Sequence, residues 1–93
     1  MTTTRTTTAT VSSVASSATS VNLFATASNT RMRTIFNDST SMLFVKFGAV
    51  ASASDYTVQI AAGAFFEFPS PLYAGQVDGI WASANGNARL TTW

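Results

Sequence analysis

Asp38, Asp55, Glu67 and Asp78 are the only acidic side chains in this 93-residue chain, and it has neither histidine nor cysteine. Proton-transfer catalysis and metal binding therefore lack their commonest side chain. No two carboxylates stand at a spacing that brings them together. Asp38 in Asn37-Asp38-Ser39 has the type of a calcium ligand, but one carboxylate falls far short of the roughly six to eight oxygens a calcium site uses. Asn37-Asp38-Ser39-Thr40 also reads as a tight turn, in which Asn and Asp side chains hydrogen-bond their own backbone two residues on. Serine and threonine are abundant but have no activating base. Gly75 and Gly79 belong to no phosphate loop, since no glycine-rich run ending in Lys-Ser or Lys-Thr occurs. The sequence predicts no enzyme, no catalytic residue, no cofactor and no metal site.

The remaining polar and aromatic residues suggest contact surfaces. Arg5, Arg31, Arg33, Lys46 and Arg89 against four carboxylates leave a net charge of +1, which is no footprint for nucleic acid or an anionic membrane. Strand alternation puts Arg31 and Arg33 on one face, facing an acidic partner or paired across strands with Glu67 or Asp78. Seven Phe, two Tyr and two Trp crowd a short chain that is 46% hydrophobic and only 10% charged, against about 25% charged in an average domain. A domain this small cannot enclose all of that, so an exposed apolar patch and life in an assembly are expected. If residues 64–68 form a strand, at least one of Phe65 and Phe66 points away from the core. Tyr73 and Trp81 could serve an interface, the core or a sugar-stacking platform. The interface candidates are Arg31, Arg33, Phe44, Phe65, Phe66, Tyr73, Trp81 and Trp93.

The elements that must position these residues are strands. Residues 75–93 read as a β-hairpin with Asn85-Gly86 at a type I′ turn, one arm over 76–83 and the other over 87–92. Gly79 within the first arm predicts a bulge or a close backbone approach. Before it come short runs over 8–14, 19–27 (Val21, Leu23 and Ala25 on one face), 31–37 and 41–48. Two more follow: 55–61, with Tyr56, Val58 and Ile60 inward, and 64–68, with Phe66 and Phe68 on one face. In 41–48, Leu43, Val45 and Phe47 alternate with Met42, Phe44 and Lys46, so both faces are partly apolar, the pattern of a central strand buried on two sides or of one buried on one side and covered by a partner on the other. Turns fall at 27–30, 37–40, 62–63 and after Pro69-Ser70-Pro71. This spacing predicts an all-β fold, a small antiparallel β-sandwich or barrel of about six to eight strands. Residues 1–8, rich in threonine, read as a flexible arm, and 9–93 as a single β domain. No run approaches the roughly 20 apolar residues of a membrane span.

From Asn37 onward the chain resembles small bacteriophage virion proteins and phage fibre modules. The likeness is carried by Asn37-Asp38-Ser39-Thr40, Leu43-Phe44-Val45-Lys46-Phe47-Gly48-Ala49, Asp55-Tyr56-Thr57-Val58, Ala61-Ala62-Gly63-Ala64, Glu67 with Pro69, and Tyr73-Ala74-Gly75. Above all it lies in Gly79-Ile80-Trp81-Ala82-Ser83-Ala84-Asn85-Gly86-Asn87-Ala88-Arg89. The resemblance implies a capsid decoration or cement protein on the outer surface of the virion, made in the host cytoplasm. Its partner would be the major capsid protein, and it would form a homo-oligomer, with a trimer favoured by capsid geometry. A head-fibre or tail component, with a fibre protein docked on it, is the alternative, and a carbohydrate-binding module a further one. The absence of an appended fibre segment after Trp93 favours the stand-alone role. The family supplies no catalytic residue to carry over.

Overall fold

The structure, a computed structural model, describes residues 6–27 and 30–93. It contains eight strands: β1 (Thr10–Ala15), β2 (Val21–Phe24), β3 (Arg33–Asp38), β4 (Leu43–Phe47), β5 (Val58–Ile60), β6 (Phe65–Glu67), β7 (Val77–Trp81) and β8 (Asn87–Thr92). They form two four-stranded antiparallel sheets, ordered β1-β8-β3-β6 and β2-β7-β4-β5. The fold is a β-sandwich, one of the two architectures that the turn spacing predicted. The first strand begins two residues later than expected, at Thr10. The turn expected over 27–30 lies partly outside the described residues, as do residues 1–5 of the expected arm.

Alternation builds the core. β4 is central in its sheet, flanked by β7 and β5. Leu43 and Val45 are fully buried, while Phe44 and Lys46 look outward. From the facing sheet come Ile35, Ala88 and Leu90, and from β5 and β7 come Ile60, Val77 and Trp81. β2 departs from simple alternation: its register slips between Asn22 and Phe24, so that Leu23 and Phe24 are both buried. Gly79 lies opposite this strand. A Cβ there would come within 2.7 Å of Leu23 Cδ1 and 3.1 Å of Leu43 Cδ1. The glycine makes room for core side chains, not for a neighbouring backbone.

The expected hairpin is corrected. β7 and β8 pair in different sheets, β7 with β2 and β4, β8 with β1 and β3. Residues 82–86 carry the chain across the sandwich. Gly86 has φ +75°, and among the residues with positive φ Asn85 is absent, so the paired left-handed residues of a type I′ turn are not formed. Asn85 instead accepts hydrogen bonds from the backbone N–H and hydroxyl of Thr40 (2.7 and 2.8 Å). Ser41 Oγ donates to Ser83 O at 2.9 Å and accepts from Ser83 N at 3.0 Å. The corner is thus docked onto the turn that follows β3. Tyr56, expected inward, lies before β5 begins and is exposed.

Candidate interaction surfaces

The eight candidate residues divide by position. Arg33 and Trp81 are interior, at 1% exposure each, and so form no contact surface. Phe66 and Tyr73 are half-buried and pack against the core. Arg31, Phe44, Phe65 and Trp93 remain at or near the surface.

Arg33 opens β3 and is one of the inward-facing residues of that strand, with Ile35 and Asn37. Its Nη1 donates to the carbonyls of Tyr73 (3.0 Å) and Gly75 (2.8 Å), and its Nη2 to those of Ala25 (2.7 Å) and Ala74 (3.3 Å). The guanidinium lies 4.8 Å from the centre of the Phe24 ring and 6.0 Å from that of Phe68. Burial pulls its pKa below the usual arginine value, with Tyr73 opposing. The expected pairing with Glu67 or Asp78 is not made. Among the described residues the ion pairs are Arg89 with Asp38 (2.9 Å) and Lys46 with Asp55 (2.6 Å), both at the surface.

Around Arg33 the aromatics close one end of the sandwich. Phe47 stacks on Phe68 (4.8 Å between centroids, 18° between planes) and on Tyr73 (4.9 Å, 10°). Phe24 meets Phe68 edge to face at 5.6 Å. At the other end Asn37 is fully buried. Its Nδ2 donates to Ser41 O and Ile60 O, both at 2.8 Å. Its Oδ1 accepts from the Ser39 hydroxyl at 2.7 Å and from Trp81 Nε1 at 3.2 Å. Tyr73 and Trp81 therefore belong to opposite ends and form no common stacking platform.

The outer faces carry the surface aromatics. Cross-strand register places Ser13, Arg89, Phe36 and Phe65 in one row on the outside of the first sheet. Phe65 is 58% exposed, and Val11 on the same face is 64% exposed. On the outside of the second sheet, Ile80, Phe44 and Gln59 form a row. The Tyr56 ring lies 5.1 Å from that of Phe44, and its hydroxyl accepts from Gln59 Nε2 at 2.6 Å. Asp78 lies on this face but is covered. Its carboxylate accepts from Val50 N (2.7 Å), Gln76 (3.0 Å), Asn22 (3.3 Å) and Ser20 (3.5 Å). Desolvation pushes its pKa up, but the hydrogen bonds from Gln76, Val50, Asn22 and Ser20 outweigh it and hold the group below its ordinary value.

Trp93 sits beside the N-terminal segment. An open cleft of about 250 Å³ is lined by Thr6, Thr7, Thr8, Ala9 and Trp93. The Trp93 carbonyl accepts from the backbone N–H groups of Arg31 (2.6 Å) and Met32 (2.9 Å). Sequence reasoning missed Val11, Phe36, Val50 and Tyr56 as surface apolar residues. For Val11 a signal existed: β1 lacks the alternation of a strand that covers a core. Among the described residues no cluster of three or more His, Cys, Asp or Glu side chains could hold a metal. Among the same residues no helix is long and apolar enough to cross a membrane. Comparison with protein-family models, characterised proteins and solved structures yields no match to this chain.

Proposed function

We propose that this is a bacteriophage structural protein: a decoration, or cement, protein on the outer surface of the capsid that bridges neighbouring major capsid subunits. The observation that carries this reading is apolar surface left over after the core is complete. Val11, Val50, Tyr56, Phe65 and Trp93 are 37–66% exposed, in a chain with only 10% charged residues. Aromatic side chains with few charges suit the buried centre of an interface. The ion pairs Arg89–Asp38 and Lys46–Asp55 lie on the outer faces of the two sheets and suit a polar rim. The bacteriophage part of the reading rests on the resemblance of residues 37–89 to phage virion proteins.

The mechanism is additive burial. Each copy covers apolar area on two capsid subunits at once, and shell opening must re-expose it, at about 25 cal/mol per Å² as an upper figure. The sandwich acts as a rigid block that holds Phe44 and Phe65 on opposite outer faces. Counting copies per particle by quantitative mass spectrometry tests the assignment. Abundance proportional to the major capsid protein is expected. A handful of copies per particle would instead mark a head-fibre or tail component.

A further inference from the structure

We infer that the free edge of β1 is a docking site for β1 of a second copy of this chain, joining two four-stranded sheets into one of eight strands. β1 and β6 are the edges of the first sheet, and β2 and β5 those of the second. Three of these edges are poor templates. β5 and β6 are three residues long, and β6 carries Glu67 and is soon followed by Pro69. β2 has four residues and an irregular register. Short length, charge, proline and bulges are the devices that keep sheet edges from pairing. β1, Thr-Val-Ser-Ser-Val-Ala, is six residues long and has none of them.

The direction of its free backbone groups follows from the register. Ala15 lies opposite Asn87, and one residue on, Ser16 N donates to Gly86 O at 3.0 Å. Hydrogen-bonded and non-bonded positions alternate along an antiparallel pair. Thr10, Ser12 and Val14 therefore bond β8, while Val11, Ser13 and Ala15 direct N–H and C=O away from the sheet. A two-fold axis at Ser13 sets Ser13 opposite its own copy and Val11 opposite Ala15 of the other chain. All three residues of each copy then exchange both backbone bonds. Ser12 comes to lie beside Val14, which is half-buried and packs against the core from the edge.

Charge is the reason for choosing a second copy as the occupant. A two-fold pair sets any charge near the axis against its own copy, and β1 has no ionisable side chain. Among the described residues the nearest charge is Arg89, opposite Ser13 but one strand in. The pair would separate the two Arg89 positions by three interstrand spacings, roughly 14 Å, beyond the Debye length of about 8 Å at physiological salt. This inference does not rest on the virion assignment, and it replaces the three-fold assembly expected from capsid geometry with a two-fold one.

Light scattering on the purified chain at high micromolar concentration tests it. The wild type is expected at twice the monomer mass. Ser13→Pro removes the outward N–H while leaving the bonds of Ser12 and Val14 to β8 in place, and Ser13→Lys adds a charge at the axis. Both are expected to give the monomer mass with an unchanged circular dichroism spectrum; if Ser13→Pro fails to fold, Ser13→Lys decides. In a chain that otherwise lacks cysteine, Ser13→Cys is expected to yield an oxidised dimer, and Thr57→Cys is not. A wild-type monomer, a trimer, or a dimer that Ser13→Lys leaves intact would overturn the inference.

Discussion

Arg33 and Asn37 show how single side chains tie the two ends of the sandwich. Arg33 satisfies four carbonyls from residues 25 and 73–75 that no strand partner serves. Replacing it with methionine keeps much of the packing against Phe24 and Phe68 but strips the carbonyls of Ala25, Tyr73 and Gly75 of their guanidinium donors, Ala74 O keeping its bond from Ala27 N. A loss of about 3 kcal/mol is expected, read as a lower urea midpoint; Arg33→Lys, lacking the planar fork, should recover only part of it. Asp78 makes a pH prediction. Its pKa is lowered on folding from the unfolded value of 3.8. A carboxylate of this kind adds stability above the unfolded value and loses it as pH falls through the lower folded value. The urea midpoint should therefore decline as pH falls below about 4, and Asp78→Asn should flatten that decline. Neither role was legible in the sequence. Strand alternation puts Arg33 on one face with Arg31, and an arginine there reads as surface, because its partners are carbonyls of loops distant in sequence.

At the scale of elements, short-range signals identified the strands but not which strands would pair. Asn85-Gly86 marks a change of direction, and Gly86 does take a positive φ. Nothing local distinguishes a hairpin from a crossing between sheets, since both arms show the same alternation. The distinction comes from Thr40, Ser41 and Ser83, which bind the corner to a turn some forty residues earlier in the chain. Gly86→Ala is expected to destabilise by about 1–3 kcal/mol, because its Cβ would meet the Asp38 carbonyl and lie 2.7 Å from Ser39 Cα. Val50 is the reverse case. It holds φ +62° although β-branched, and its side chain is 66% exposed. Val50→Gly should preserve the N–H bond to Asp78 and relieve the strain, raising stability by about 0.5–1 kcal/mol in thermal unfolding. The central placement of β4 was legible because apolar residues stand on both of its faces, Leu43 and Val45 on one and Phe44 on the other. The burial of both Leu23 and Phe24 was not, because a register slip in β2 leaves no mark in composition.

For the whole molecule, the low charge and high aromatic content divide between two uses. Phe24, Phe47, Phe66, Phe68 and Trp81 build or brace the core, while Phe65, Tyr56 and Trp93 remain at the surface. The composition predicted the excess but not its location, because alternation alone does not say which face of a strand meets the opposite sheet. A cement role requires the exposed set to be dispensable for folding and needed for attachment. Phe65→Ser should accordingly leave the thermal midpoint of the free protein nearly unchanged, while binding to undecorated capsids, followed by co-sedimentation, weakens about tenfold or more, as loss of an aromatic anchor in an interface centre does. The most direct measurement is the temperature at which virions release their genome, compared between complete particles and particles lacking this protein. Cementing predicts release at a lower temperature from the depleted particles, with restoration when the protein is added back. Equal resistance of the two would contradict it.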